Sequence, residues 1–257
     1  MIYPPDFGII IPMPHKTITS KENARLKHVR KLIADKDYRY ETRQYVIEGP
    51  HALGRIARVN ELFVRAGAAL PQVAADSIYC VETRAFGAIA STENSQGIVA
   101  TAPINVLGAE RISTGGRYVL LDRIQDPGNM GAIIRSACAF GYNAVIITPG
   151  CVDPFSPKVV RAAAGALTAI DIIQLKSQAE LAHHPIIAAS MDGKNIAAFA
   201  WPDHFIIAVG SEAAGLSPEI RAMAADTVAI PIKDAMESLN AAVAAGILLY
   251  LGSARNL

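Results

Sequence analysis

The sequence predicts an α/β protein in two parts: a small mixed α/β unit, then a larger one built on a mostly parallel sheet with helices on both faces. Three observations carry this. Of 257 residues, 51% are hydrophobic and 18% charged, enough apolar side chain to bury a core and too much for a disordered chain. Apolar, β-branched runs alternate with helical segments through the second half, as parallel strands with crossover helices do. Between the halves, residues 102–116 hold Pro103, Gly108, Gly115 and Gly116, the punctuation of a connection. At roughly 150 residues per domain the length accommodates two units, drawn at residues 16–101 and 117–257.

Taken in order, Thr19 with Glu22 three residues on predicts a capping box opening a helix. In that helix Leu26, Val29, Leu32 and Ile33 share one face, and Lys21, Arg25 and His28 lie on another. Strands are expected at Tyr45 to Ile47, Glu61 to Val64, Ile78 to Val81 and Gly97 to Thr101. Beyond the connection, strands are expected at Tyr118 to Leu121, Ala144 to Thr148, Ala169 to Ile173, Ile186 to Ala189, Phe205 to Val209 and Thr227 to Ile230. Helices are expected at Gly131 to Phe140, Pro157 to Ala164 and Ser238 to Leu251. The longest apolar stretch, Ala241 to Gly252, has twelve residues, short of the roughly 20 a bilayer core requires.

Net charge is +1, so no overall field draws in a polyanion. Locally, Lys16 to Arg43 holds nine Lys/Arg against four Asp/Glu, with Tyr38, Tyr40 and Tyr45 at or just beyond its end. Such a run is either a solvated helix face or a surface for phosphates and stacked bases. Cys80, Cys138 and Cys151 form neither an even framework nor a Cys-x-x-Cys pair, and Pro4, Pro5, Pro12 and Pro14 interrupt the N-terminus. A cytoplasmic protein without structural zinc or a secretion leader is expected.

Ligands in open parallel sheets bind beyond the carboxyl ends of the strands. The common fingerprints fail in those loops. Gly210 to Ser217 has P-loop spacing with Leu216 where the lysine belongs, and Gly128 and Gly131 alone do not make a dinucleotide turn. There is no Gly-x-Ser-x-Gly elbow, and the adjacent His183 and His184 cannot share a metal from one helix or strand face. Three polar loops remain. In the first, Asp122 to Arg135, Asn129 reads as an N-cap and Arg135 as a surface ion-pair partner or a functional cation. The second, Gly210 to Leu216, sets Glu212 among small residues, as a turn or as an acid at a cleft. In the third, Ile230 to Asn240, Ser238 reads as the N-cap of the last helix, and Asn240 has no evident structural duty.

Together these loops resemble the three motifs of the SpoU (TrmH-type) branch of the SPOUT RNA methyltransferases. They read Asn-x-Gly-x-x-x-Arg from Asn129 to Arg135, Gly-x-Glu-x-x-Gly-Leu from Gly210 to Leu216, and Ile-Pro followed by Ser-Leu-Asn from Ile230 to Asn240. Pro154 to Arg161 is similar to the family's intermotif segment. Ile18 to Asn23, Val46 to Pro50 and Ser91 to Gly97 resemble a ribosomal-protein-like substrate-binding domain found in many members. The first fifteen residues match nothing in the family. Ile232 stands for the usual Met, Asp234 for Gly, and Ala241-Ala242 for Val-Ser; Asp234 implies a different backbone path or an extra carboxylate beside the cofactor.

The resemblance implies a C-terminal domain with a deep trefoil knot, a homodimer, and methyl transfer from S-adenosylmethionine to a ribose 2′-hydroxyl of RNA without a metal. Its catalytic set maps to Asn129, Arg135, Glu212, Ser238 and Asn240, and its cofactor contacts to Gly210, Ile230, Leu239 and Ser190. Arginine's high pKa favours electrostatic stabilisation by Arg135 over a role as base. The added N-terminal domain points to rRNA. A tRNA target, a catalytically silent RNA-binding adaptor and, more distantly, a nicotinamide enzyme are the alternative readings.

Overall fold

Two sheets organise the chain, of which a computed structural model describes residues 16–53, 56–91, 95–233 and 236–253. Asp234 and the first fifteen residues, both singled out above, lie outside the described residues, as do residues 92–94 of the Ser91 to Gly97 segment.

The first unit runs β1 (Lys16–Ile18), α1 (Ala24–Ala34), α2 (Lys36–Thr42), β2 (Gln44–Glu48), α3 (Pro50–Leu53), β3 (Arg58–Arg65), β4 (Ala74–Val81), α4 (Thr83–Phe86) and β5 (Ile98–Pro103). Its sheet has the order β1-β4-β3-β5-β2, parallel from β1 to β3 and antiparallel beyond. Leu26, Val29 and Leu32 of α1 are fully buried against Phe63, Tyr79 and Val99, as their spacing predicts. The expected capping box does not form. Ser20 Oγ accepts the Glu22 N–H at 3.1 Å, turning the chain early, and Asn23 caps the helix by accepting the Arg25 N–H at 2.9 Å. Three of the nine cations in the basic run are committed: Arg25 pairs with Glu61 and Lys27 with Glu22, while Arg39 is buried.

The second unit runs β6 (Val106–Leu107), β7 (Arg117–Asp122), α5 (Pro127–Ala139), β8 (Ala144–Ile147), α6 (Pro157–Ala163), β9 (Asp171–Gln174), β10 (Ile186–Asn195), β11 (Phe205–Gly210), α7 (Pro218–Met223), β12 (Ala224–Ala229) and α8 (Ala241–Ser253). All seven strands pair in parallel, in the order β12-β10-β11-β7-β8-β9-β6. The central strands β7, β8 and β11 are apolar and buried along nearly their whole length, because helices cover both faces. Val119, Leu121, Val145 and Ile147 face α5, α6 and α8. Leu120, Ile146, Ile206 and Ala208 pack with Leu216 and Ile220 on the other side. Within residues 102–116 the chain completes β5 and adds β6 as an edge strand beside β9.

Two helix starts differ from expectation. α5 begins at Pro127, four residues early, because Asp126 caps it by accepting the Asn129 N–H at 2.7 Å and proline suits the first helical position. Asn129 is therefore inside the first turn and is not the cap. α8 begins at Ala241, and its cap is Asn240, whose Oδ1 accepts the N–H groups of Ala242 and Val243 at 2.9 and 3.2 Å. Ser238 lies before the helix.

A buried ion pair joins the units. Arg39 donates to Asp153 Oδ2 through Nε and Nη2 at 3.0 and 2.6 Å, and through Nη1 to the Leu32 carbonyl at 2.7 Å. Asp153 Oδ1 accepts from Tyr40 Oη at 3.1 Å and from the Phe155 N–H at 3.0 Å. Burial, with the Asp153 carboxylate beside it, holds the Tyr40 phenol well above its ordinary pKa, so it remains a donor. Tyr45 packs its ring 5.1 Å from that of Phe155, and Arg161 donates to Ser91 Oγ at 3.0 Å.

Candidate active site at the carboxyl ends of the strands

β7 and β11 are neighbours, and their last residues, Asp122 and Gly210, are in register. Asp122 is fully buried. Its Oδ1 accepts from Thr148 Oγ1 at 3.1 Å and its Oδ2 from the Ser217 N–H at 2.6 Å. One carboxylate thus ties the loops after β7, β8 and β11 together. The following Arg123 takes a left-handed backbone (φ 57°) and donates its N–H to Thr148 Oγ1 at 3.1 Å. Sequence reasoning assigned Asp122 no role; its one signal was a carboxylate directly after four apolar strand residues.

The loop after β11 folds back on itself, with Ser211 and Gly215 exchanging backbone hydrogen bonds at 3.1 and 2.8 Å. A Cβ on Gly210 would overlap the Gly215 carbonyl, and Gly215 itself has φ 64°; both positions require glycine for this close approach. The fold-back presents Glu212, whose carboxylate accepts from the Asn129 amide. Asn129 Oδ1 in turn accepts from Asn240 Nδ2 at 3.0 Å. A single line, Asn240 to Asn129 to Glu212, therefore links all three polar loops. Asn240 can hold it because its other amide atom is fixed by capping α8.

Beside this line lies a cavity of about 610 Å³, between the carboxyl ends of β10, β11 and β12 and the start of α8. Ser190, Gly210, Ile230 and Leu239 all line it, with Glu212, Ser238 and Asn240. β10 makes room by slipping register against β12 between Ala189 and Lys194, and Gly193 there sits against the Val228 backbone where no Cβ fits. Asn129 and Arg135 are not in its lining. Arg135 is exposed on α5 and makes no hydrogen bond or ion pair among the described residues. It lies one turn beyond Gly131, which touches the α6 backbone closely. Four of the five expected polar residues are thus brought to one place in the single chain, and the fifth stands apart. Among the described residues no group of three His, Cys, Asp or Glu could hold a metal, and no helix is long and apolar enough to cross a membrane.

Residues 116–250 match the SpoU rRNA methylase family and residues 23–100 the MRM3-like substrate binding domain. The chain belongs to the SpoU rRNA methylase family. It is similar to the 23S rRNA (guanosine(2553)-2′-O)-methyltransferase RlmP of Bacillus subtilis (strain 168), 31% identical over 91% of this chain and 98% of that one. The AdoMet-bound rRNA methyltransferase of Sinorhizobium meliloti superposes with a TM-score of 0.81 at 28% identity, over 94% of this chain and 98% of that chain. The SpoU methyltransferase AviRb of Streptomyces viridochromogenes, solved with AdoMet, gives 0.79 at 25% identity over 91% and 98%. For a SpoU family member, the two sheets correspond to a substrate-binding unit and a methylase unit.

Proposed function

We propose that the chain transfers a methyl group from S-adenosylmethionine to a ribose 2′-hydroxyl of RNA, with ribosomal RNA in the cytoplasm as substrate and residues 16–101 and 117–257 as the RNA-binding and methylase domains. The observation that carries this is the cavity at the strand ends meeting the Asn240–Asn129–Glu212 line. The cavity fits the cofactor. Its volume lies in the range of small-molecule sites, Val209, Ile232, Leu239 and Leu248 give apolar walls, and Ser190, Ser211 and Ser238 give hydroxyls. Glu212 and Asp192 supply the negative charge that a sulfonium favours.

Ser190, Gly210, Ile230 and Leu239 would hold the cofactor, which supplies an electrophilic methyl carbon. The chain's own task is alignment and charge stabilisation. Asn129 and Asn240, locked by their mutual hydrogen bond, orient the strand-end loops. Ser238, uncommitted to any cap, is available to the ribose. Glu212 accepts from Asn129 and keeps the amide from turning. The Arg135 guanidinium stabilises the developing alkoxide or grips the neighbouring phosphate.

Arg135 stands clear of the cavity in one chain, which supports a homodimer placing it beside the partner's site. Val243 and Tyr250 on α8 are 53% and 51% exposed and offer an apolar face for a second copy. The return of α8 to pack against α5 and β11, after the loop that walls the cavity, supports the trefoil knot.

The test is methylation of ribosomal RNA and total tRNA by the full chain with labelled S-adenosylmethionine, followed by mapping of 2′-O-methyl sites. One methylated rRNA ribose is expected. Binding of cofactor and RNA without transfer would replace this reading with the adaptor, and label confined to tRNA would replace the substrate.

A further inference from the structure

The first unit carries a second concavity, also about 610 Å³, between α1 and residues of β2, β3 and β4. Polar groups stand among largely apolar wall surface: Arg25 and His28 from α1, Gln44 from β2, Asn60 and Glu61 from β3, and Ser77 with Asp76 from β4, the Asp76 carboxylate being paired with Arg58. Glu61 is a buried carboxylate, 8% exposed. One oxygen accepts from Arg25 and lies 3.4 Å from Tyr79 Oη; the other makes no hydrogen bond among the described residues. That second oxygen is not shut away from solvent and faces the cleft as an available acceptor.

The surroundings are held in place. Phe63 and Tyr79 stack at 5.2 Å with 21° between their planes, and the Arg25 guanidinium lies over Tyr79, 5.6 Å from its centroid. This three-layer pile ends in a guanidinium whose side chain remains 56% exposed. His28 is fixed from both sides, Nδ1 to Tyr38 Oη at 2.8 Å and Nε2 to Gln44 Oε1 at 3.2 Å. The Asn60 side chain makes no hydrogen bond among the described residues.

We infer that this cleft takes one unstacked guanine of the RNA substrate. Proteins that read single-stranded RNA stack splayed bases on aromatic or guanidinium planes and read their edges by hydrogen bonds. Arg25 is the stacking plate. Glu61 accepts from N1–H and N2–H₂ of the base, and the Asn60 amide donates to O6. Guanine alone presents two adjacent ring-edge donors beside a carbonyl. Uracil turns two carbonyls toward a carboxylate, and adenine and cytosine present one amino group beside a lone-pair nitrogen. The inference rests on RNA being the substrate and adds a specificity contact on the N-terminal unit, separate from the reacting ribose.

The experiment uses the full chain and four fluorescein-labelled octamers, uridines throughout except for G, A, C or U at the fifth position, with affinity read by anisotropy. The G octamer is expected to bind about tenfold more tightly than the U octamer, the discrimination one bidentate base contact gives. Glu61→Gln should bring the two within about twofold. Asn60→Ala, which leaves the Arg25 pairing untouched and guards against a folding defect, should remove at least half of the preference on a logarithmic scale. Cofactor binding and melting temperature of Asn60→Ala should match wild type. Failure to bind any octamer, equal binding of all four, preference for another base, or full preference retained in both variants would overturn the assignment. Because methyl transfer to rRNA is measured separately, loss of base discrimination with transfer intact removes the cleft alone, and discrimination without transfer removes only the catalytic reading.

Discussion

Replacing Asp153 by leucine should cost the protein about 3–5 kcal/mol, as breaking a buried pair by removing one partner does. The magnitude follows from what the substitution strands. Arg39, 5% exposed at its side chain, keeps only main-chain carbonyls as partners, at 2.7 Å to Leu32 and 3.4 Å to Ile33. The Tyr40 hydroxyl and the Phe155 N–H lose their acceptor in the same step. For a protein whose total stability is of order 5–15 kcal/mol this is a large fraction. The assay is urea unfolding followed by fluorescence of Trp201, the single tryptophan. With m near 3 kcal/mol/M the midpoint should fall by roughly 1–1.7 M. Arg39→Met in the Asp153→Leu background removes the stranded charge and should recover much of the loss, giving a coupling energy well above the few tenths expected for independent sites. A single Asp153→Leu variant within about 0.5 kcal/mol of wild type would refute the reasoning, because only an ion pair open to water is worth so little.

Arg135→Ala should lower single-turnover methylation on the order of 100-fold while leaving cofactor affinity near wild type, and Arg135→Lys should rescue little of it; near-normal turnover in the alanine variant removes Arg135 from catalysis. Gly210→Ala should abolish S-adenosylmethionine binding by calorimetry, since its Cβ would meet the Gly215 carbonyl; retained binding would place the cofactor elsewhere. Lys21→Gln with Arg30→Gln should reduce the dependence of RNA affinity on log salt by about one to two, whereas Lys27→Gln, already paired with Glu22, should change it less. Burial raises the Cys151 thiol, whose Sγ also donates to the Leu121 carbonyl at 3.2 Å. The thiolate is thereby disfavoured, so iodoacetamide at pH 8 should label Cys151 slowly in the folded protein and its rate should climb only at higher pH; mass spectrometry that finds it labelled as quickly as in urea contradicts this.

The strands were legible because parallel strands buried on both faces must be apolar throughout, as Tyr118 to Leu121 and Phe205 to Val209 are. Helix starts were less so. Pro127-Gly128 has the composition of a turn, and only the Asp126 side chain turns it into a first helical turn. Both expected caps gave way to neighbours: Asp126 in place of Asn129 caps α5, and Asn240 in place of Ser238 caps α8. The Asn240–Asn129 hydrogen bond spans 111 residues and the Asn129–Glu212 bond 83, distances over which no local pattern speaks. The motif resemblance singled out these residues without indicating what they touch. Arg39 shows the opposite failure. It counted toward a basic surface, yet burial turned it inward, since charge runs in a sequence carry no information on which member faces a neighbouring domain.

The two residues of β6 lie at the margin of the large sheet, alongside β9. A strand this short leaves few unpaired amides facing outward, and so blunts the sheet against growth by a further chain. A fragment begun at Arg117 would lack that cover and present Asp171–Gln174 as an open row of donors and acceptors. The proposed methylase domain begins at residue 117, yet its sheet is completed by Val106–Leu107, so a fragment cut at Arg117 is expected to self-associate through β9 and one that keeps those two residues is not.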